Sequence, residues 1–148
     1  MNNTILVAIN DSMSSRAVLD YLAGLALCHD NLEVTLLHIY RKPPSGEELM
    51  GKEFMDQIPS RLLAVLQKAK DKLVENGFDP EKVTTKLITE SYPTVTDGII
   101  DQFKKGDFQM VVIGRKRMSK AEEFVLGDVS IKLVRALEGA AVLVVKSP

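Results

Sequence analysis

The sequence predicts a doubly wound α/β fold: an open five-stranded parallel sheet with helices on both faces. Three observations point there. Short apolar runs, continuous rather than alternating, recur along the chain, as strands buried on both faces require. Between them lie stripes of apolar residues spaced three or four apart, the mark of amphipathic helices. Strict alternation of the two kinds of segment needs crossover connections, which are right-handed in nearly all cases and lay helices on both sides of a parallel sheet.

Element by element, Ile5 to Ile9 is the first strand, ended by the turn-forming Asn10, Asp11 and Ser12. Val18, Tyr21, Leu22, Leu25 and Cys28 then form one helical stripe, with Ser12 or Ser14 available to cap its first turn. Val34 to Ile39 is the second strand. Arg41 to Pro59, which contains Pro43, Pro44, Ser45 and Gly46, is expected to be a long surface loop or flap, with Met50, Phe54 and Met55 packing it onto the body. Ile58, Leu62, Leu66, Ala69 and Leu73 mark the second helix, stopped by Gly77 and followed by Asp79 and Pro80. A weaker third strand runs from Val83 to Ile88. Val95, Ile99 and Phe103 define a third helix, weakened by Gly98 in its interior. The fourth strand, Phe108 to Ile113, ends at Gly114; Val129, Leu133 and Leu137 form the last stripe, leading through Gly139 to the fifth strand, Ala141 to Val145.

The chain's 148 residues suit a single domain, residues 1–148. A chain of this size buries about 70% of its unfolded surface and needs no disulfide or structural metal. With 45% hydrophobic and 26% charged residues and a formal net charge of -1, nothing in the balance calls for nucleic acid or an anionic membrane as partner. The single cysteine, Cys28, falls among Leu25, Ala26 and Leu27, where a small buried thiol is the simplest account. No basic leader or long apolar stretch opens the chain, so a cytoplasmic location is expected.

In a sheet of this kind ligands bind beyond the carboxyl ends of the strands, where the strand order reverses. The most informative residues there are Gly114-Arg-Lys-Arg117, then nine residues, then Gly127-Asp-Val-Ser130 opening a helix. Glycines let backbone approach a phosphate, and the N–H groups of a helix N-terminus donate to it. Read without further input, the same residues also fit a loop and a helix cap, and Arg115, Lys116 and Arg117 also fit a solvated surface.

On these residues the sequence resembles the universal stress protein family. ILVAINDSMSSRAVLDYL is similar to that family's opening, and VVIGRKRMSKAEEFVLGDVSIKLVRALEGAAVLVVK to its closing segment; the strand VTLLHIY and the long loop after it also fall where the family places them. The resemblance implies an adenine-nucleotide alpha-hydrolase-like fold, with the usual strand order 3-2-1-4-5, and a nucleotide cleft lined by Asn10, Ser12, Ile39, Gly114, Arg117, Gly127 and Ser130. Nucleotide-binding members carry G-x2-G-x9-G followed by Ser or Thr. Gly114 and Gly127 match the first and third glycines, whereas Arg117 stands at the second and Asp128 at the hydroxyl position. The family's first-strand aspartate falls at Asn10, and Asp11 stands where glycine is usual.

These departures pull in different directions. Asp128 places a carboxylate at a helix N-terminus, where it caps the helix itself and repels a triphosphate. Arg117 blocks close backbone approach, yet with Arg115, Lys116 and Lys120 it supplies groups able to pair with phosphate oxygens. Asn10 keeps hydrogen-bonding capacity without charge. ATP or AMP stays open as the ligand, and no cofactor is certain from the sequence.

The expectation is therefore a non-enzymatic, stress-response regulatory protein with weak or absent ATP binding. The alternative is an ATP- or AMP-binding protein with slow ATPase or nucleotide-switch activity. No catalytic residue is assigned, since His29 and His38 have neither a nucleophile nor metal-ligand spacing beside them. A receiver domain, superficially suggested by Asn10, Asp11 and Lys146, lacks a phosphoacceptor aspartate, because the third strand ends Thr89-Glu90-Ser91. Ala141 to Val145 would be an apolar edge strand that invites pairing, and family members commonly dimerise there. A homodimer through that strand is expected, with other protein partners open.

Overall fold

The computed structural model describes residues 3–9, 13–24, 31–40, 52–115 and 129–147. They form β1 (Asn3–Ala8), α1 (Met13–Gly24), β2 (Leu32–Ile39), α2 (Lys52–Glu75), a short 3-10 turn (Pro80–Lys82), β3 (Val83–Ile88), α3 (Val95–Lys105), β4 (Met110–Arg115), α4 (Val129–Ala136) and β5 (Ala141–Lys146). The five strands make one sheet, parallel as the alternation of strands and helices requires, in the expected order β3-β2-β1-β4-β5.

Residues one apart on a strand face opposite sides, and the core divides accordingly. Ile5, Val7 and Ile9 from the β1 segment join Val34 and Leu36 of β2 under α1 and α2, contributing Val18, Leu22, Leu66, Ala69 and Leu73. Leu6 of β1 joins Leu37 and Ile39 of β2 and Val111 and Ile113 of β4 on the other face, under Ile99 and Phe103 of α3 and Leu133 of α4. Continuous apolar runs are what a sheet covered on both faces needs.

Three details differ from the sequence reading. Tyr21, placed in the α1 stripe, is 45% exposed, while Val18 and Leu22 are buried. It precedes Leu22 by one residue, roughly 100° around the helix. The expected flap stops earlier, because α2 begins at Lys52 and carries Pro59 inside it. Proline removes one helical hydrogen bond, at about 3 kcal/mol in a helix interior. Lys52 to Ile58 contains no glycine, and the burial of Leu66, Ala69 and Leu73 downstream holds the helix in place. Finally, β4 runs Met110–Arg115, two residues later than expected, and Phe108 instead stacks its ring 5.8 Å from that of Phe103. The rest of the flap, residues 41–51 with Met50, lies outside the described residues, as do Leu25, Cys28 and His29.

Helix ends follow their local chemistry. After α2, Gly77 takes φ 104°, a left-handed conformation that glycine enters without penalty. The Phe78 N–H then reaches the Leu73 carbonyl at 3.1 Å, burying the Phe78 ring. At the start of α3, Thr94 accepts from the Asp97 N–H at 3.1 Å and its hydroxyl donates to Asp97 Oδ2 at 2.8 Å. No helix among the described residues is long and apolar enough to cross a membrane.

Candidate functional site

The order β3-β2-β1-β4-β5 reverses direction at β1, whose neighbours β2 and β4 lead to opposite ends of the sheet. Beyond the carboxyl ends of these three strands lies a cleft of about 190 Å³. Ala8 and Ile9 form its floor at β1. One wall is His38 and Ile39 of β2 with Val95 and Ile99 of α3; the other is Ile113 and Gly114 of β4 with Val129 of α4, and Ser15 enters from α1. Complete small-molecule sites usually enclose roughly 300–1,000 Å³, so these residues frame only part of such a site.

Of the site residues read from the sequence, Ile39 and Gly114 are brought together on opposite walls. Ser130 lies in the first turn of α4, next to Val129, but is not part of the lining. Asn10, Ser12, Arg117 and Gly127 lie outside the described residues, as do Asp11, Lys116, Lys120 and Asp128.

The other lining residues were not read as site residues in the sequence; Ala8, Ile9, Leu37, Ile99 and Ile113 were read only as strand or helix core, and Ser15, His38, Val95 and Val129 line the cleft from strand and helix ends. His38 was assigned a structural role, and the structure supports one: its Nδ1 lies 2.6 Å from the Ile9 carbonyl oxygen. A carbonyl only accepts, so Nδ1 carries the proton, and the bond ties β2 to the end of β1. The Ile9 N–H in turn donates to the Leu37 carbonyl at 2.7 Å. The same ring lines the cleft, a consequence of its place one residue before the strand end. Val95 and Val129 are the opening residues of α3 and α4, the helices that follow β3 and β4, and helix starts face the same end of the sheet as strand carboxyl ends. Both are well exposed, Val95 at 44% and Val129 at 42%, so the cleft mouth presents solvated apolar surface.

Beside the cleft, the connection from β3 to α3 carries a polar network. The Tyr92 hydroxyl donates to Asp101 Oδ2 at 2.5 Å and accepts from Gln102 Nε2 at 3.2 Å, with Glu90 Oε2 also 3.2 Å away. Lys105 Nζ sits 2.9 Å from the same Asp101 oxygen. The hydrogen bond from Lys105, and then that from Tyr92, hold the Asp101 carboxyl below its usual range. The Asp101 carboxylate raises both partners: it accepts the Lys105 proton and the Tyr92 proton, and both become harder to remove. Glu90, at the end of β3, is thus engaged in a surface network. A receiver domain would order its strands 2-1-3-4-5, with β3 inside the sheet, whereas here β3 is at the edge. Among the described residues, no group of three or more His, Cys, Asp or Glu is placed to hold a metal ion.

A parallel sheet in this order, with an apolar cleft where the order reverses, defines a doubly wound α/β protein of the adenine-nucleotide alpha-hydrolase-like fold. The chain belongs to the universal stress protein family, whose model matches residues 1–146. Universal stress protein YxiE of Bacillus subtilis (strain 168) is 29% identical over 156 residues, covering 99% of this chain and 100% of the relative. Among solved structures, a universal stress protein in complex with cAMP superposes with a TM-score of 0.67 at 17% identity, covering 99% of this chain and 98% of that one. A universal stress protein from Archaeoglobus fulgidus in complex with dAMP gives 0.62 at 17% identity, covering 97% and 98%. At such identities the structural likeness establishes the fold.

Proposed function

We propose that this universal stress protein works by ligand-linked regulation in the stress response rather than by turnover. In this reading residues 1–148 act as one domain in the cytoplasm, as a homodimer joined through β5. The cleft takes an adenine nucleoside monophosphate in preference to ATP. The observation that carries the reading is the lining itself. Ile39, Ile99 and Ile113 offer apolar walls, and the exposed Val95 and Val129 leave surface at the mouth that a heteroaromatic base would cover. The proteins of this fold solved with cAMP and dAMP support a monophosphate as the ligand class.

The sequence supplies the discrimination against ATP. Gly114 allows backbone to approach the ligand on the β4 wall, and Arg117, with its guanidinium, is our candidate for pairing with a single phosphate group. Asp128, next before α4 in the sequence, is our candidate for what disfavours a longer phosphate chain, by charge repulsion. Asn10, Ser12, Gly127 and Ser130 complete the proposed site.

The test is to purify the protein without added ligand, denature it, and identify released nucleotide by chromatography and mass spectrometry. The stripped protein is then titrated calorimetrically with AMP and with ATP. Stoichiometric AMP on release, or AMP binding at least about tenfold tighter than ATP, is the expected result, a difference of about 1.4 kcal/mol. A protein that releases no nucleotide and gives no heat with either overturns the reading and leaves an interaction module without a ligand.

A further inference from the structure

Gly98 sits one turn into α3 with its backbone against β2. A Cβ at this position would stand 2.9 Å from Ile39 Cγ2, 3.1 Å from Ile39 Cδ1 and 3.0 Å from Tyr92 Cδ2. Carbon atoms at rest lie roughly 3.5–4.0 Å apart, so α3 comes this close to β2 because residue 98 has no side chain. The neighbours have little room to retreat. Ile39 is 4% exposed and β-branched, with χ1 stiff in its strand. The Tyr92 ring is pinned through its hydroxyl by Asp101 at 2.5 Å and by Gln102, itself 4% exposed, at 3.2 Å.

Ile39 is also a wall of the cleft, as is Ile99, the residue after Gly98. The geometry assigns Gly98 a role that its effect on helix propensity does not reveal: it is a specificity-determining position. By letting α3 close on Ile39, it sets where the Ile39 methyls and Ile99 stand in the cleft, across from Ile113 and Gly114 of β4. A Cβ at residue 98 displaces the Ile39 methyl groups and reshapes that wall without touching the ligand. The identity of the ligand rests on the reading above, whereas the coupling of residue 98 to Ile39 does not.

The experiment pairs two readouts on Gly98→Ala, Ile39→Ala and the double variant. Methyl-labelled isoleucine spectra of the unliganded protein report the walls directly. In Gly98→Ala the Ile39, Ile99 and Ile113 methyl resonances are expected to move, while those of Ile5, toward the other end of β1, and Ile131, exposed on α4, stay in place. AMP titration reports the consequence. Gly98→Ala is expected to weaken binding about tenfold in the native background, but less than about twofold once Ile39→Ala has removed the obstructing methyls, the non-additivity of residues in contact.

Unmoved Ile39 methyls, or equal losses in both backgrounds, overturn the assignment. Should the native protein not bind AMP, the nucleotide reading fails by itself, and the methyl shifts alone decide the role of Gly98. Should Gly98→Ala fail to fold, recovery of folding in the double variant upholds the contact with Ile39, whereas recovery only when Tyr92→Ala replaces Ile39→Ala overturns it, since the obstruction is then the Tyr92 ring.

Discussion

The two edges of the sheet are built differently, though both are six-residue parallel strands. β3, Val-Thr-Thr-Lys-Leu-Ile, presents exposed Thr84 and Lys86 to solvent. Beyond its carboxyl end stands the polar network of Glu90, Tyr92, Asp101 and Lys105. β5, Ala-Val-Leu-Val-Val-Lys, has four successive apolar residues, Val142 to Val145, all half-buried, and its first charge is Lys146. A lysine along an edge is a common device against strand addition. One edge is thus protected and the other left ready to pair, and the asymmetry favours β5 as the seam of the proposed homodimer.

The sharpest way to break that comparison is to exchange the two characters. Val144→Lys puts an ammonium on the open edge, and a two-fold seam brings two of them together. Leaving such charges unpaired in an interface costs several kcal/mol, so association should weaken by at least about 100-fold. Sedimentation should show monomer mass, with far-ultraviolet circular dichroism unchanged. Lys86→Val removes the guard from β3 and should leave the dimer mass unaltered. Loss of the dimer in Lys86→Val, or its retention in Val144→Lys, would place the seam elsewhere.

The same contrast shows what could be read in the sequence. The parallel sheet and both core faces were legible, because a continuous run such as Ile5 to Ile9 has one stable use in a chain that alternates strands with helical stripes; the strand order came from the family resemblance, since alternation alone also fits the order 2-1-3-4-5. That Ile39 and Gly114 line the cleft was legible because both sit at or near strand ends. Val95 and Val129 were not: each opens an apolar stripe, and nothing local distinguishes a first-turn residue at a cleft mouth from one in the core. Gly98 looked like a weak point of α3, since the contact that explains it, with Ile39, spans more than fifty residues of chain. The start of α2 was missed because Pro59 is a strong local signal, and tertiary burial further along the helix outweighed it.

Next in size is the cap of α3 on the guarded side. Thr94→Ala removes both the hydroxyl that accepts from the Asp97 N–H and its bond to the Asp97 carboxylate. The expected loss is about 1 kcal/mol in urea unfolding, whereas Thr94→Gly should cost only a few tenths of a kcal/mol. Equal losses for the two variants would show that the side chain acts by packing and not as a cap.

The smallest expected effect belongs to the Tyr92, Asp101 and Lys105 group, and its signature is the shape of a pH profile. Asp101 and Lys105 are 38% and 58% exposed, so solvent screens the pair heavily. The Asp101 carboxyl is held below its usual 3.8, chiefly by Lys105, so its contribution is fully present above that value and lost as pH falls through the depressed one. Lys105 and Tyr92 are both raised, chiefly by Asp101, from their usual 10.5 and 10.0. Their contribution is therefore complete below those values and is lost as pH rises through the elevated ones. Subtracting the unfolding free energy of Asp101→Asn from that of the native protein should give a plateau from about pH 5 to 9 that declines on both sides. Raising the salt concentration should lower the plateau. A difference that stays level across the whole range would mean that Asp101 holds Tyr92 by shape alone, and that charge contributes nothing to the guarded side of the sheet.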